Sequence, residues 1–339
     1  MANLYPFEIK DIEPETNKKM MKYFSGERGG FIKIGPKGYV LTKAFKDMAE
    51  IIYNMEVRPD DVYVVTYARS GTTWTQELVW MVANNLDYET AKKVQLTERF
   101  PFLEHTMMIH PTLIEEIKEM NKGDEEKVKI VDLFSKPAYE ILNAAPSPRF
   151  IKSHLPLSLL SPKLLDSKVV YVARDPRDAA VSFFYLCKSV RTMGFNGEFK
   201  EFWKLFISDL HYWTPFFEHL KEAWEKRHHP NLIFLFYEDL KKDLNGVVRT
   251  VADFLGKKYN DEEIATLCDH LDIKNFKYNK SVNNDIMKDL GFMYPKEEFI
   301  RKGNTGGWRD YFDEEMTVEA DKWIADNLRD TDLRFPSMQ

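Results

Sequence analysis

The chain has 339 residues, 44% hydrophobic, 14% aromatic and 30% charged, enough apolar side chain to bury a large core and to exclude disorder as its main state. Against 54 Asp and Glu stand 48 Lys and Arg, and a formal net charge of −6 excludes a general polyanion binder held by counterion release. Nucleic acid is therefore not an expected partner, and an anionic ligand must be met locally by a few cations and oriented backbone N–H groups, as a small phosphorylated molecule can be.

The amino terminus, Met1-Ala2-Asn3-Leu4-Tyr5-Pro6-Phe7-Glu8-Ile9-Lys10-Asp11, has charges in its first dozen positions and no apolar h-region, so no secretory signal is expected. No apolar run approaches the ~20 residues of a membrane span. Cys187 and Cys268 form no Cys-x-x-Cys pair, and a reduced, cytoplasmic setting with no membrane partner is expected. The lone sequon Asn279-Lys280-Ser281 is read as chance.

Val62-Tyr63-Val64-Val65-Thr66 is a β-branched and aromatic run that predicts a buried strand, and the spacing of Leu78, Val79, Met81 and Val82 predicts a helix over 72–84. Mixed helical composition follows between Glu104 and Ser147, with Gly123 and Pro137 as breaks; a stretch of that length between strands predicts a lid or insertion, or else a helical pair covering a sheet edge. Strands are next predicted over 149–152 and 168–173, a helix over 178–186, one long amphipathic helix from about Phe199 to Lys226, and a strand over 232–236. The alternation predicts an α/β fold, a parallel sheet flanked by helices, in one domain over 1–339 with a helical insertion at about 104–147.

Four motifs fall at the ends of these elements. Arg69-Ser70-Gly71-Thr72-Thr73-Trp74 lies where a strand gives way to a helix, offering unsatisfied N–H groups, hydroxyls and a cation to a phosphate. No Gly-x-x-x-x-Gly-Lys-Ser/Thr occurs, so the usual Mg-nucleotide triphosphate signature is missing. Lys152 and His154, two residues apart on an extended backbone, share one side of a strand end, pairing a positive charge with a proton acceptor. Arg174 leaves another strand and Ser182 sits one helix further on, within reach of a second anion. Arg301-Lys302-Gly303 opens a glycine-rich turn, Asn304-Thr305-Gly306-Gly307.

In combination these motifs resemble the cytosolic sulfotransferases, which move a sulfuryl group from 3′-phosphoadenosine 5′-phosphosulfate (PAPS) to a hydroxyl or amine, along about 34–335. The resemblance implies a P-loop-nucleotide-hydrolase-like sulfotransferase fold, the product adenosine 3′,5′-bisphosphate (PAP), and no metal. It implies that residues 69–74 hold the 5′-phosphosulfate and that His154 is the general base, with Lys152 and Arg69 as catalytic cations. Arg174, Ser182, Arg301, Lys302 and Gly303 match the family's 3′-phosphate site, and Trp74 and Tyr237 its adenine site. The family's loop lysine is Arg69 here and its proline Ala68; a guanidinium keeps the charge but is a poorer proton donor. The family's aromatic after Leu271-Asp272 is Ile273. Its dimer motif is replaced by Arg309-Asp310-Tyr311-Phe312-Asp313-Glu314, which leaves a homodimer open.

The long 74–152 stretch, Arg69 and the Trp308–Met316 sequence resemble insect members related to retinol dehydratase. Such a resemblance implies a small lipophilic phenol or alcohol as acceptor, in detoxification or retinoid chemistry, with Phe100 and Phe102 as pocket walls or core. Sulfonation followed by elimination and a non-catalytic nucleotide or lipid carrier are the alternatives; a nucleotide kinase is disfavoured by the missing Walker residues.

Overall fold

The computed structural model describes residues 4–295, 298–301 and 303–338, and among these seven strands form two sheets. Near the amino terminus β1 (Ile9–Asp11), β2 (Phe31–Ile34) and β3 (Tyr39–Thr42) pair antiparallel in that order. This small sheet was not expected from the sequence. Its signal is two apolar runs flanking Gly35-Pro36-Lys37-Gly38, with Ile34 opposite Tyr39 across the turn.

The main sheet contains β4 (Val62–Thr66), β5 (Phe150–Ser153), β6 (Lys168–Ala173) and β7 (Leu232–Phe236). All neighbours are parallel, in the order β5-β4-β6-β7, as the alternation of strands and helices predicts. Successive side chains face opposite ways along each strand, so Tyr63, Val65, Ile151, Val169 and Tyr171 enter one apolar core while Val62, Val64, Val170 and Val172 enter another. Burial on both faces explains why these runs are continuously apolar rather than alternating. At the base of β4, Asp61 and Arg149 form a fully buried pair with Arg149 Nε at 2.8 Å and Nη2 at 2.5 Å from the carboxylate.

The long helix expected from Phe199 to Lys226 is two helices, Phe199–Ile207 and Phe216–Glu225. Pro215 cannot donate to a helical ladder, and Asp209 and Trp213 adopt left-handed backbone at φ 54° and 62°. His211, Tyr212 and Trp213 in the break are at most 1% exposed, so apolar periodicity continues where the helix does not.

Between β4 and β5 the chain forms helices at Pro111–Met120, Glu125–Phe134 and Ala138–Ala144. Leu113, Ile117 and Val131 of the first two pack with Leu290 and Phe292 in a separate apolar cluster. Asn121 Nδ2 donates to the Leu290 carbonyl at 2.8 Å, tying the two segments. The edge of β5 is covered differently, by the extended strip at 101–103, where Lys152 N–H donates to Pro101 O at 2.9 Å and Leu103 N–H to Lys152 O at 2.8 Å.

Candidate active site

The chain leaves β4 at Thr66 and enters the helix Thr72–Ala83 through a turn in which Arg69 (φ 68°) and Gly71 (φ 98°) are left-handed. A Cβ on Gly71 would lie 2.6 Å from Tyr237 Cδ2, so the position admits only glycine. The first ladder bond runs from Thr75 N–H to Gly71 O at 3.0 Å. The N–H groups of the preceding turn therefore have no partner within the helix and carry its positive end. Thr72, Thr73 and Trp74 face a cavity of about 820 Å3. Ser70 is different: its side chain is fully buried beneath the loop, its Oγ has no partner, and it is not part of the cavity wall.

Arg69, Arg174, Ser182, Tyr237, Arg301 and Gly303 line the same cavity. Arg69 Nε donates to Ser182 Oγ at 3.0 Å and its Nη2 to the Phe299 carbonyl at 2.9 Å. Burial, together with the cations of Arg174 and Arg301, draws its pKa down to about 10. Arg174 donates to the carbonyls of Arg69 and Asn304, each at 3.0 Å, lies 4.2 Å over the Tyr237 ring, and keeps a buried Nε with no partner. The Tyr237 and Trp74 rings meet edge to face at 5.8 Å, and Trp74 Nε1 donates to Leu271 O at 2.9 Å. Two aromatic walls and an unspent guanidinium nitrogen fit a purine nucleotide carrying more than one phosphate.

The glycine-rich turn is anchored from the helix that carries Ser182. Asp178 accepts from Gly306 N–H at 2.6 Å and Trp308 N–H at 3.0 Å. Gly303, at φ 57°, leaves no room for a Cβ, which would lie 2.7 Å from Ile273. Arg301 lies over the Tyr185 ring at 3.5 Å. Lys302 lies outside the described residues.

Lys152 and His154 meet at the carboxyl end of β5. His154 Nδ1 is 2.9 Å from the Thr66 carbonyl, which can only accept, so Nδ1 carries the hydrogen and Nε2 the lone pair. Burial, and then the charge of Lys152, hold the imidazole far below its usual pKa and therefore neutral. Its ring stands edge to face against Phe102 and Trp213, both at 5.1 Å. The Lys152 ammonium sits 4.1 Å over Phe102, and burial lowers its pKa to about 8, with Arg69 adding to that and Glu104 opposing it.

Thr66, at the end of β4, and two groups that the motifs did not disclose fix this corner. Thr66 bonds the His154 ring; His219 Nε2 is 2.8 Å from the His154 carbonyl while its Nδ1 meets Tyr171 OH at 2.7 Å; Glu104 accepts from His154 N–H at 2.6 Å and Ser153 Oγ at 2.9 Å. Their partners lie 48 to 88 residues away along the chain. Burial makes Glu104 and His219 conspicuous in the fold, yet neither stands in a local pattern.

Beyond His154 the cavity turns apolar. Ile109, Ile130 and Phe134 of the 104–147 segment face Leu186, Met193 and Phe292, and Trp213 comes from the break between the two helices. Phe102 is half-buried in this wall. Phe100 also reaches the cavity but is fully buried, packed at 5.5 Å against Phe150. Among the described residues no cluster of three His, Cys, Asp or Glu side chains could hold a metal ion, and no helix is long and apolar enough to cross a membrane.

Strand-end anion donors, paired aromatic walls and a neutral imidazole beside cations define a nucleotide-dependent group-transfer site. Residues 59–332 match the model of the sulfotransferase domain family, and the chain belongs to that family as a PAPS-dependent sulfotransferase. Luciferin sulfotransferase of Photinus pyralis is 31% identical over 306 residues, covering 88% of this chain and 80% of that protein. A structure of retinol dehydratase with androsterone and the inactive cofactor PAP superposes with a TM-score of 0.92 at 46% identity, covering 98% of this chain and 99% of that one. A complex of retinol dehydratase with retinol and PAP gives 0.91 at the same identity and coverage.

Proposed function

We propose that this enzyme transfers the sulfuryl group of PAPS to the hydroxyl of a small lipophilic alcohol or phenol bound under the 104–147 helices, within one domain spanning the chain. The observation that carries the reading is the neutral His154, whose Nδ1 is committed to Thr66 and whose ring lines the cavity at the junction of its cationic and apolar ends. His154 Nε2 takes the acceptor's proton as its oxygen bonds to sulfur. Lys152 and Arg69 offset the charge that grows on the departing phosphate oxygen, and the first-turn N–H groups of the helix Thr72–Ala83 add fixed dipoles. Arg174, Ser182 and Arg301 hold the 3′-phosphate, while Trp74 and Tyr237 enclose adenine.

The apolar walls supply most of the acceptor's binding, and the single base orients its hydroxyl. Phe102, against both His154 and Lys152, guides that hydroxyl toward Nε2. The 46% identity with retinol dehydratase across 98% of the chain supports a second reading. There, an allylic alcohol such as retinol is sulfonated and then loses sulfate with a proton, leaving a hydrocarbon. Labelled PAPS incubated with phenols, saturated alcohols and retinol tests both. Label transfer that disappears in His154→Ala supports the first reading, anhydroretinol from retinol supports the second, and tight PAPS binding without product from any acceptor counts against both.

A further inference from the structure

The backbone of His154 is gripped from two sides, its carbonyl by the His219 imidazole and its N–H by the Glu104 carboxyl group at 2.6 Å. The second grip differs in kind. Glu104 is 0% exposed, and the cations Arg69, Lys152, Arg174 and Arg301 line the adjoining cavity, whose own carboxylates are Asp178 and Glu98. A neutral amide could accept from His154 N–H and meet Ser153 at less desolvation cost, since a buried carboxylate is expensive unless its charge is used. The two Glu104 oxygens are taken by His154 N–H and Ser153 Oγ, and Lys152 directly precedes that pair on β5. Glu104 follows directly on the strip at 101–103 that is hydrogen-bonded on both sides of Lys152, so the carboxyl and the ammonium are carried by paired backbones.

Around the Lys152 ammonium stand the Phe102 ring, the Arg69 guanidinium, the His154 and His105 imidazoles, and Glu104, the anion among them. His154 is neutral, and burial lowers the pKa of His105 as well. We propose that Glu104 is a positioning residue for sulfuryl transfer: its carboxylate sets the backbone of His154, and its charge keeps Lys152 an ammonium at the reacting centre. This rests on the roles given above to His154 and Lys152. Burial brings Lys152 to about 8 and Glu104 to about 7, and each charge opposes the other's shift. Removing the anion leaves Lys152 facing only burial and Arg69, and it deprotonates at lower pH.

The test is the pH profile of kcat from pH 6 to 9.5 with androsterone or retinol, whose hydroxyls do not titrate in that range. Glu104→Gln keeps the side chain's shape and an accepting oxygen but removes the charge. Its basic limb is expected about one pH unit below that of the wild type, with roughly tenfold more activity lost at pH 8.5 than at pH 6.5. Ser153→Ala removes the other hydrogen bond and keeps the charge, and Glu104→Asp keeps the charge while shortening the reach; both are expected to leave the limb in place. PAP titration and a melting curve confirm that each variant is folded. A Glu104→Gln limb coincident with the wild type, or a Ser153→Ala limb shifted as far, overturns the proposal even if Lys152→Ala and His154→Ala lose activity by the expected hundredfold or so. Wild-type turnover in Lys152→Ala overturns the catalytic reading and this proposal together.

Discussion

Gly71→Ala forces the phosphate-loop geometry to declare its cost. An L-residue at φ 98° is disfavoured by about 1–2 kcal/mol. The new Cβ would stand 2.6 Å from Tyr237 Cδ2 and 3.3 Å from Cε2, and moving that ring disturbs Arg174 at 4.2 Å and Trp74 at 5.8 Å. Overpacking of this kind adds about 1–3 kcal/mol, so the sum is about 2–5 kcal/mol. With an unfolding entropy of about 0.7 kcal/mol/K for a chain of this length, the melting temperature falls by about 3–7 °C. The displaced ring also forms the proposed adenine wall, so the Kd for PAP is expected to rise at least tenfold or so. Thermal melts with and without PAP, together with calorimetric titration, measure both. In a Tyr237→Ala background the clash is gone and only the backbone cost of about 1–2 kcal/mol should remain. A Gly71→Ala protein that melts within about 1 °C of the wild type and binds PAP equally well would refute the reasoning.

Ser182→Ala removes the hydroxyl 3.0 Å from Arg69 Nε in the proposed 3′-phosphate site, so PAP binding should weaken about tenfold while 5′-AMP binding, measured in parallel, stays nearly constant. Phe134→Ala opens the apolar roof and should raise KM for a lipophilic alcohol by about 5- to 30-fold with KM for PAPS unchanged; equal changes in both would argue against a lid role. Asp61→Ala strands the buried Arg149 guanidinium and is expected to cost about 3–5 kcal/mol in denaturant melts. Glu27, which accepts from Gly29 and Gly30 N–H, has its pKa raised to about 7 by burial from an ordinary 4.5. The folded state thus binds this proton more tightly, and the resulting stability is fully present below about 4.5 and lost as pH rises through about 7. Glu27→Gln should therefore gain on the wild type in melting temperature between pH 5 and pH 8, and a constant difference would remove Glu27 as a source of the pH dependence.

The parallel strands were readable because their faces are buried, or half-buried at the edge strand β7: Val62–Thr66, Lys168–Ala173 and Leu232–Phe236 have the bounds their apolar runs predict. Motifs at strand ends were readable for a related reason, since a turn, a glycine and a cation adjacent in sequence reach the same end of the sheet together, and they line one cavity. Trp213 was not, because its φ of 62° interrupts a run whose apolar spacing continues as if helical. Nor was the inward turn of Ser70, whose neighbours Thr72 and Thr73 face the cavity while its own hydroxyl does not. Glu104 and His219 act on His154 from 50 and 65 residues away, and nothing local distinguishes them from other acids or histidines. Long-range polar partners of this kind become legible only once the sheet brings their segments together.

The apolar roof belongs to the connection between β4 and β5, adjacent strands whose register is already fixed by four paired positions, from Val62 with Phe150 to Val65 with Ser153. Doubling the length of such a connection adds only about 0.6 kcal/mol of loop-closure entropy. The cationic end of the cavity has no such freedom, because its donors are set by strand ends and by Gly71 packed against Tyr237. Evolution can therefore lengthen, shorten or re-face the roof at little thermodynamic cost while the donor end stays as it is, and new acceptor specificities can arise without a new fold.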